Sequence, residues 1–290
     1  MNNTLNLLSF LIFTAFLGGI MYSHAGQSIS QSASTTKAHS VSTTTVLDRA
    51  HLFSDLKWAT VKDSRGQYLG GIADIVVNPD GRISFAVLSP FGMYGGMNER
   101  LLALPFNVLS FNDKYVILNT TSGKLVKAPL FRMDYLNARN WAEEANRYFG
   151  IQPSWGEGAI CEGPAVGAHQ LSMTKGWNRP YAASEIVGTQ VRNNQGEAVG
   201  KIDDLIFDDE GRISFVILGY GGFLGIDRNL VAVPVTSLSY VEEPKYFALN
   251  TTKENIQSAP IFSKKALDEP GWANGFYRYF GQQPYWTREE

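Results

Sequence analysis

The sequence predicts a mainly β protein made of two tandem small β-barrels, each followed by a C-terminal helix. Three observations lead to this fold class: an internal repeat, short β-rich segments separated by turn residues, and an aromatic tail at the end of each copy. Residues 66–85 return, with substitutions, as residues 196–215, a spacing of 130 residues. A repeat of this length indicates two similar domains, because the repeats of solenoid proteins are only about 20–50 residues long.

The strand pattern is clearest in the second copy. Residues 198–207 are rich in apolar and β-branched side chains, and residues 212–218 are largely apolar on both faces, which predicts a central strand. Residues 208–211 are predicted to form the turn between them, because Gly211 can adopt a positive φ. About six short strands fall within ~65 residues, a spacing that is typical of a small barrel.

A helical tail is predicted at the end of each copy, over residues 133–148 and 264–279, where aromatic side chains recur between charged ones. Pro270 and Gly271 divide the second tail into two pieces, and Thr251 with Glu254 predicts a capping box for a short helix before it.

Trp141 and Trp272 recur in register in the two tails. We expect each aromatic tail to pack on its own barrel and to cover an open end. The alternative is that these side chains form a surface for a partner or a second subunit.

The N-terminus predicts export. Residues 5–21 are an uncharged apolar run, and Ser23-His24-Ala25 after them suits cleavage behind Ala25. Residues 1–25 are therefore interpreted as a signal peptide, although Met1-Asn2-Asn3-Thr4 lacks the usual Lys or Arg. The alternative is that residues 5–21 stay as an anchor that holds the protein at a membrane. Both interpretations place the rest of the chain outside the cytoplasm, in the periplasm or secreted.

The remaining chain divides by composition. Residues 26–46 are rich in Ser and Thr and predict a flexible tether. Residues 47–155 are predicted to form the first barrel with its tail, and residues 183–290 the second. Residues 156–182 hold several Gly and Pro and predict an inter-domain linker.

Composition also narrows the function. A net charge of −2 disfavours nucleic-acid binding, which depends on neutralising phosphates. The single cysteine, Cys161, lies in the predicted linker. The histidines lie outside both predicted barrels, at His24, His39, His51 and His169. A histidine-based acid–base or zinc site in a barrel is therefore excluded, and we expect no enzymatic activity, catalytic residue, metal or cofactor.

Two groups of residues are candidate contact sites. Asp74 and Asp204 occupy equivalent positions and are expected to accept backbone N–H groups in a turn or bulge; the alternative is a ligand or cation contact at the barrel mouth. The glycine-rich rim loops carry apolar residues at their tips, which would offer an exposed apolar surface to a protein partner. These tips are Met93, Tyr94, Phe223 and Leu224.

Four segments of the second copy carry a family resemblance: residues 200–205 (GKIDDL), 211–213 (GRI), 222–225 (GFLG) and 230–234 (LVAVP). With these segments the copy resembles a PRC-barrel domain over residues 183–262, and the first copy resembles it over residues 53–131. The resemblance implies a small, mostly antiparallel β-barrel that serves as a binding or assembly module. Its motifs carry no catalytic signature.

These observations together predict a non-catalytic, extracytoplasmic binding or scaffold protein that acts through protein–protein interaction or self-assembly. The alternative hypothesis is a sensor of small molecules or metal ions that uses the barrel mouth near Asp74 or Asp204.

Overall fold

Alternation of β-rich runs and turn residues folds the chain into two curled sheets. The computed structural model describes residues 49–90, 100–112, 114–152, 176–222 and 228–287. The described part of residues 43–290 belongs to one compact unit, which contains both sheets.

The first half of the described chain contains eight strands and three α-helices. They are β1 (Ala50–Leu52), α1 (Phe53–Leu56), β2 (Thr60–Asp63), β3 (Tyr68–Val77), β4 (Ile83–Ser89), β5 (Leu101–Pro105), β6 (Leu109–Phe111), β7 (Val116–Leu118), α2 (Ser122–Leu125), β8 (Leu130–Phe131) and α3 (Arg139–Phe149).

The second half of the described chain repeats this order, except that the equivalent of β8 is not a strand. Its elements are β9 (Tyr181–Ala182), α4 (Ala183–Ile186), β10 (Gln190–Arg192), β11 (Ala198–Asp208), β12 (Ile213–Tyr220), β13 (Asn229–Pro234), β14 (Leu238–Val241), β15 (Tyr246–Leu249), α5 (Lys253–Ser258) and α6 (Trp272–Tyr279).

Both sheets have the same topology. The first runs in the order β6-β7-β2-β3-β4-β5-β8, and the second in the order β13-β12-β11-β10-β15-β14. Neighbouring strands are antiparallel except for one parallel pair in each sheet, β2 with β7 and β10 with β15. This arrangement confirms the predicted mainly β class with two small barrel-like sheets and helical extensions.

The two halves exchange their leading strands. β1 comes from the first half but pairs with β11 of the second sheet, and β9 comes from the second half but pairs with β3 of the first. β3 and β11 can accept these partners because they are long: their first residues pair with β2 or β10, and their last residues are left for the exchanged strand. The exchange makes the two barrels parts of one structure.

The turns that follow β3 and β11 also meet. Arg82 and Arg212 form an antiparallel bridge. On either side of it, the Ile83 N–H donates to the Gly211 carbonyl at 2.7 Å, and the Ile213 N–H donates to the Gly81 carbonyl at 3.0 Å. The repeated Gly-Arg-Ile segment therefore lies at the contact between the two copies.

One hydrophobic core runs through both halves. It joins inward-facing residues of the first sheet, such as Ile75 and Leu88, to those of the second, such as Leu205 and Phe247. Each sheet also buries apolar side chains under its own tail. The main core therefore stabilises the two barrels jointly.

Each tail packs on its own barrel, as the sequence predicts. The Trp141 ring lies 4.9 Å from Phe85, and the equivalent Trp272 ring lies 5.1 Å from Phe215. The α-helices of the tails are shorter than predicted: Met133–Tyr135 and Lys264–Asp268 are 3-10 turns that precede α3 and α6.

Three details differ from the sequence-based predictions. The end of the predicted linker, at Tyr181–Ala182, is strand β9 and belongs to the first sheet. His51 lies on β1 and is therefore part of the second sheet, although histidine was expected outside both barrels. The cap of α5 is Thr252, whose hydroxyl oxygen accepts from the Asn255 N–H at 3.2 Å, so the capping residue is one position later than predicted.

Candidate functional site

Asp74 and Asp204 lie at equivalent irregularities in the two long strands. In β3 the register with β4 shifts between Ile72 and Asp74, and in β11 the register with β12 shifts between Ile202 and Asp204. A bulge of this kind frees backbone N–H groups from the ladder, and both aspartates are buried.

Each of these carboxylates accepts one N–H from its own strand and one from the other half of the molecule. Asp204 Oδ1 accepts from Leu205 at 2.8 Å and from Ser54 of α1 at 3.0 Å. Asp74 Oδ1 accepts from Ile75 at 2.8 Å and from Ser184 of α4 at 3.2 Å. Each aspartate therefore accepts backbone N–H groups, as the sequence predicts. The bonds from Ser54 and Ser184 connect each exchanged segment to the opposite barrel.

Burial raises the pKa of both carboxyl groups above the usual value for aspartate. The hydrogen bonds from Ser184 and Ser54 oppose this shift, because they favour the ionised form. At Asp204 the nearby Asp55 carboxylate raises the pKa further. With their N–H partners already in place, the two aspartates act as internal caps for α4 and α1.

The other predicted contact residues separate into two groups. Trp141 is buried between Phe85 and Phe131, and Trp272 packs on Phe215 and Phe262, so the rings mainly stabilise the tails. The rim-loop residues Met93, Tyr94, Phe223 and Leu224 lie outside the described residues.

A cleft lies between the halves beside β1, and we call it the junction cleft. Its volume is about 720 Å³, and its walls include His51, Asp55, Phe111, Asp209 and Lys264. His51 Nε2 lies 2.6 Å from Asp209 Oδ1, and Lys264 Nζ lies 2.5 Å from Asp55 Oδ1. These two contacts, a hydrogen bond at His51 and an ion pair at Lys264, join β1 and α1 to the second half.

At the equivalent position beside β9, the Tyr181 ring packs against Trp177 and Tyr240, each at 5.1 Å between ring centres. Tyr181, which stands where the first half has His51, donates from its hydroxyl to Glu242 at 2.8 Å. The Arg179 guanidinium lies 3.8 Å from the centre of the Tyr181 ring. Burial raises the pKa of the Tyr181 hydroxyl strongly, and the hydrogen bond to Glu242 adds to this rise. The regions beside β1 and β9 therefore have equivalent strand pairing but different side chains, with His51 in the first and Tyr181 in the second.

Trp58 was not predicted as a site residue, and among the described residues it is the one non-glycine residue with a positive φ. It follows α1 with φ of 68°, in the left-handed region, and its side chain is 65% exposed. The second half has Gly188 at this position, with φ of 90°. The two turns are otherwise alike, because the N–H groups of Trp58 and Gly188 donate to the carbonyls of Ile72 and Ile202.

Exposed large apolar side chains are unevenly divided between the halves. Among the described residues the first half exposes six and the second half two. They are Trp58, Tyr68, Val126, Leu130, Met133 and Tyr135 in the first half, and Ile261 and Tyr279 in the second. The surface of the first half is therefore the more suited to contact with an apolar partner surface.

A second cavity, of about 980 Å³, opens at one end of the second barrel and is lined by Lys201, Arg228 and Lys253 among others. In the described part of the chain, no three His, Cys, Asp or Glu side chains are placed to bind a metal ion together. None of the described helices has the length and apolar character needed to cross a membrane.

Comparison with known protein families agrees with this architecture. A family model described as the PRC-barrel domain matches the chain twice, over residues 48–125 and 180–256, which together are more than half of the 290 residues. Both matches begin just before the exchanged strands β1 and β9 and end at α2 or within α5, so they cover strands β1–β7 and β9–β15 but not the aromatic tails. They confirm the resemblance seen in the sequence motifs. No curated protein matches the chain.

Proposed function

The chain belongs to the PRC-barrel domain family, and from this premise we propose that it is a non-catalytic binding or scaffold protein that acts outside the cytoplasm by holding a protein partner. Domains of this family are generally non-catalytic binding domains. The location outside the cytoplasm is supported by the apolar run at residues 5–21 and the small residues after it.

Trp58 is the observation that carries the proposal. A left-handed backbone costs a residue with a Cβ roughly 1–2 kcal/mol, whereas glycine adopts it freely. The equivalent turn with Gly188 shows that the fold does not need an aromatic residue there. An exposed side chain retained on a strained backbone is an indication of function.

The chemistry of tryptophan indicates what this function is. Tryptophan is among the residues that most often dominate the binding energy of a protein interface, because its large ring fills a pocket on the partner. Leu130, Met133 and Tyr135 add exposed apolar area to the same half. We therefore place the partner-binding surface on the first half, with Trp58 as its anchor.

The substitution Trp58→Gly tests this assignment because it should separate stability from binding. We expect it to leave the free energy of unfolding unchanged or raise it by up to about 1 kcal/mol, since it relieves backbone strain. Partner binding should weaken about 30-fold or more, the effect of losing a dominant interface residue. The readouts are urea unfolding and affinity capture from envelope extract, with native mass spectrometry to detect a partner or a second copy.

Ile261→Ala is the matched control, because Ile261 is also 65% exposed but lies on the second half. It should leave capture unchanged. If Trp58→Gly captures the same partner as strongly as the wild type, the assignment of Trp58 is wrong.

A second candidate function is the binding of a small molecule at a barrel mouth. Asp74 and Asp204 are poorly placed for it, because backbone N–H groups already occupy the Oδ1 atom of each. The observation that favours ligand binding is instead the cationic cavity at the end of the second barrel.

A further inference from the structure

The cavity at the end of the second barrel, which we call the basic end cavity, lies where strands begin or end. β11 and β13 begin there, β12 ends there, and α5 lies along one side. Its volume of about 980 Å³ suits a small organic molecule, because ligand pockets usually measure about 300–1,000 Å³.

The lining of the basic end cavity is positively charged. It includes Lys201, Arg228 and Lys253, and none of its lining residues in the described chain is Asp or Glu. Lys201 and Lys253 are exposed and form no ion pair within the described residues. Cations gathered in a concave site raise the local potential and attract anions.

A specific local arrangement holds Arg228 in place. Its guanidinium donates to Asp203 Oδ1 at 2.6 Å. The Asp203 carboxylate lies across Gly219 on the neighbouring strand, so closely that a Cβ at position 219 would come within 2.3 Å of Oδ2. Glycine at 219 therefore leaves room for the Asp203–Arg228 pair, which positions the guanidinium at the cavity.

The first barrel lacks these features at the equivalent positions, so they are not required by the fold. Where the second barrel has Lys201, Asp203, Gly219 and Lys253, the first has Gly71, Ala73, Ser89 and Ser122. Only the second copy combines these features. It has the two lysines, the Asp203 carboxylate that orients Arg228, and the Gly219 that makes space for Asp203.

We propose that the basic end cavity binds a small organic anion that carries two or more carboxylate or phosphate groups. Lysine ammonium groups and an oriented guanidinium are the groups that proteins use for such oxyanions. The buried side chains of Val199 and Ile256 supply an apolar wall for the carbon skeleton of the ligand. This inference rests on the second candidate function, not on partner binding at Trp58.

Isothermal titration calorimetry of the protein with citrate and with inorganic pyrophosphate tests the proposal. We expect one binding site per chain for at least one of these anions, with an affinity that falls as sodium chloride is added. Glucose, a neutral molecule of similar size, should give no binding. A preference for citrate or for pyrophosphate identifies the ligand as a carboxylate or a phosphate compound.

The double variant Lys201→Gln, Lys253→Gln should bind the anion about 100-fold more weakly, about tenfold for each charge-assisted hydrogen bond lost. Both side chains are exposed, so the fold should be retained. The matched control is Lys245→Gln, Lys265→Gln, which removes the same charge from exposed positions outside the cavity lining. It should change the affinity less than about threefold.

The proposal is overturned if neither anion binds at millimolar concentration, or if the two double variants lose affinity equally. Trp58→Gly should bind the anion like the wild type, and Lys201→Gln, Lys253→Gln should capture the protein partner like the wild type. A failure of anion binding therefore does not contradict the partner-binding proposal. A failure of partner binding likewise does not contradict the proposed anion site.

Discussion

At the scale of single residues, Asp74 and Asp204 show how a polar group in the core can join two domains. Each helix that they cap, α4 or α1, has only four residues and belongs to the opposite half. Sequence reasoning could predict that a buried aspartate accepts backbone N–H groups, because an unpaired one would be costly. It could not predict the donors, since Ser54 and Ser184 lie 150 and 110 residues away from Asp204 and Asp74.

The raised pKa of Asp204 predicts a pH-dependent effect of Asp204→Asn. A folded-state pKa above the unfolded value of 3.8 stabilises the fold below that value, and this contribution is lost as the pH rises through the folded-state pKa. Asparagine keeps an oxygen acceptor for the Ser54 N–H but does not ionise. The unfolding free energy of the variant, relative to the wild type, should therefore increase as the pH rises from 3.8 through the folded-state pKa.

Urea unfolding at several pH values measures this difference. Asp80→Asn is the control, because Asp80 is exposed and accepts from the Arg82 N–H within its own turn. A difference between Asp204→Asn and wild type that stays flat or falls with rising pH would contradict the role of burial.

At the scale of elements, the strands and tails were predictable and the contacts between the two copies were not. The alternation of β11 and β12 and the aromatic spacing of α3 and α6 are local signals. The one-turn helices α1 and α4 carry no periodicity to detect. A signal for the exchanged segments did exist, because Arg49 and Ser54 return as Arg179 and Ser184 at the spacing of the main repeat.

The meeting of the two Gly-Arg turns predicts that Gly211→Ala is more damaging than an ordinary turn substitution. Gly211 has φ of 78°, and a Cβ there would lie 2.8 Å from the Phe106 ring of the other half. We expect a loss of about 2–4 kcal/mol in unfolding free energy, which combines backbone strain with overpacking.

Gly196→Ala provides the comparison, because Gly196 has φ of 80° but no atom within 4 Å of an added Cβ. Gly196→Ala should lower the unfolding free energy by about 1–2 kcal/mol, the effect of placing a Cβ on a left-handed backbone alone. Equal losses in the two variants, measured by urea unfolding, would show that the contact with Phe106 is unimportant.

At the scale of the whole molecule, the exchange of β1 and β9 joins two predicted domains through strand pairing and a shared core. The repeat and its strand spacing were enough to predict two barrels. The predicted linker rich in Gly and Pro did not indicate whether the barrels touch, and the structure shows that the strand pairing and the main core cross between them. The repeat of Arg49 and Ser54 as Arg179 and Ser184 marks the exchanged segments in the sequence, but it does not show which sheet each segment joins.

The exchange predicts that the two halves depend on each other for folding. Residues 49–152 and 176–287, produced as separate chains, should each unfold at a lower urea concentration than the whole protein, because the opposite barrel keeps the partner strand. Produced together, they should associate through the same pairings. Co-purification through a tag on one half, followed by native mass spectrometry, measures this. Two halves that are separately stable and do not associate would contradict the prediction.

The exchanged strands also limit how a gene for this protein can change. Asp74 accepts hydrogen bonds from the backbone and side chain of Ser184, and Asp204 accepts them from the backbone and side chain of Ser54, so a change at either serine or either aspartate removes a contact between the two halves. Recombination between the two repeats would delete one copy and leave a chain with a single barrel and an unpaired leading strand. Such a chain could restore the lost contacts only by exchanging strands with a second copy of itself, which makes a symmetric dimer of single barrels the natural counterpart of this tandem protein.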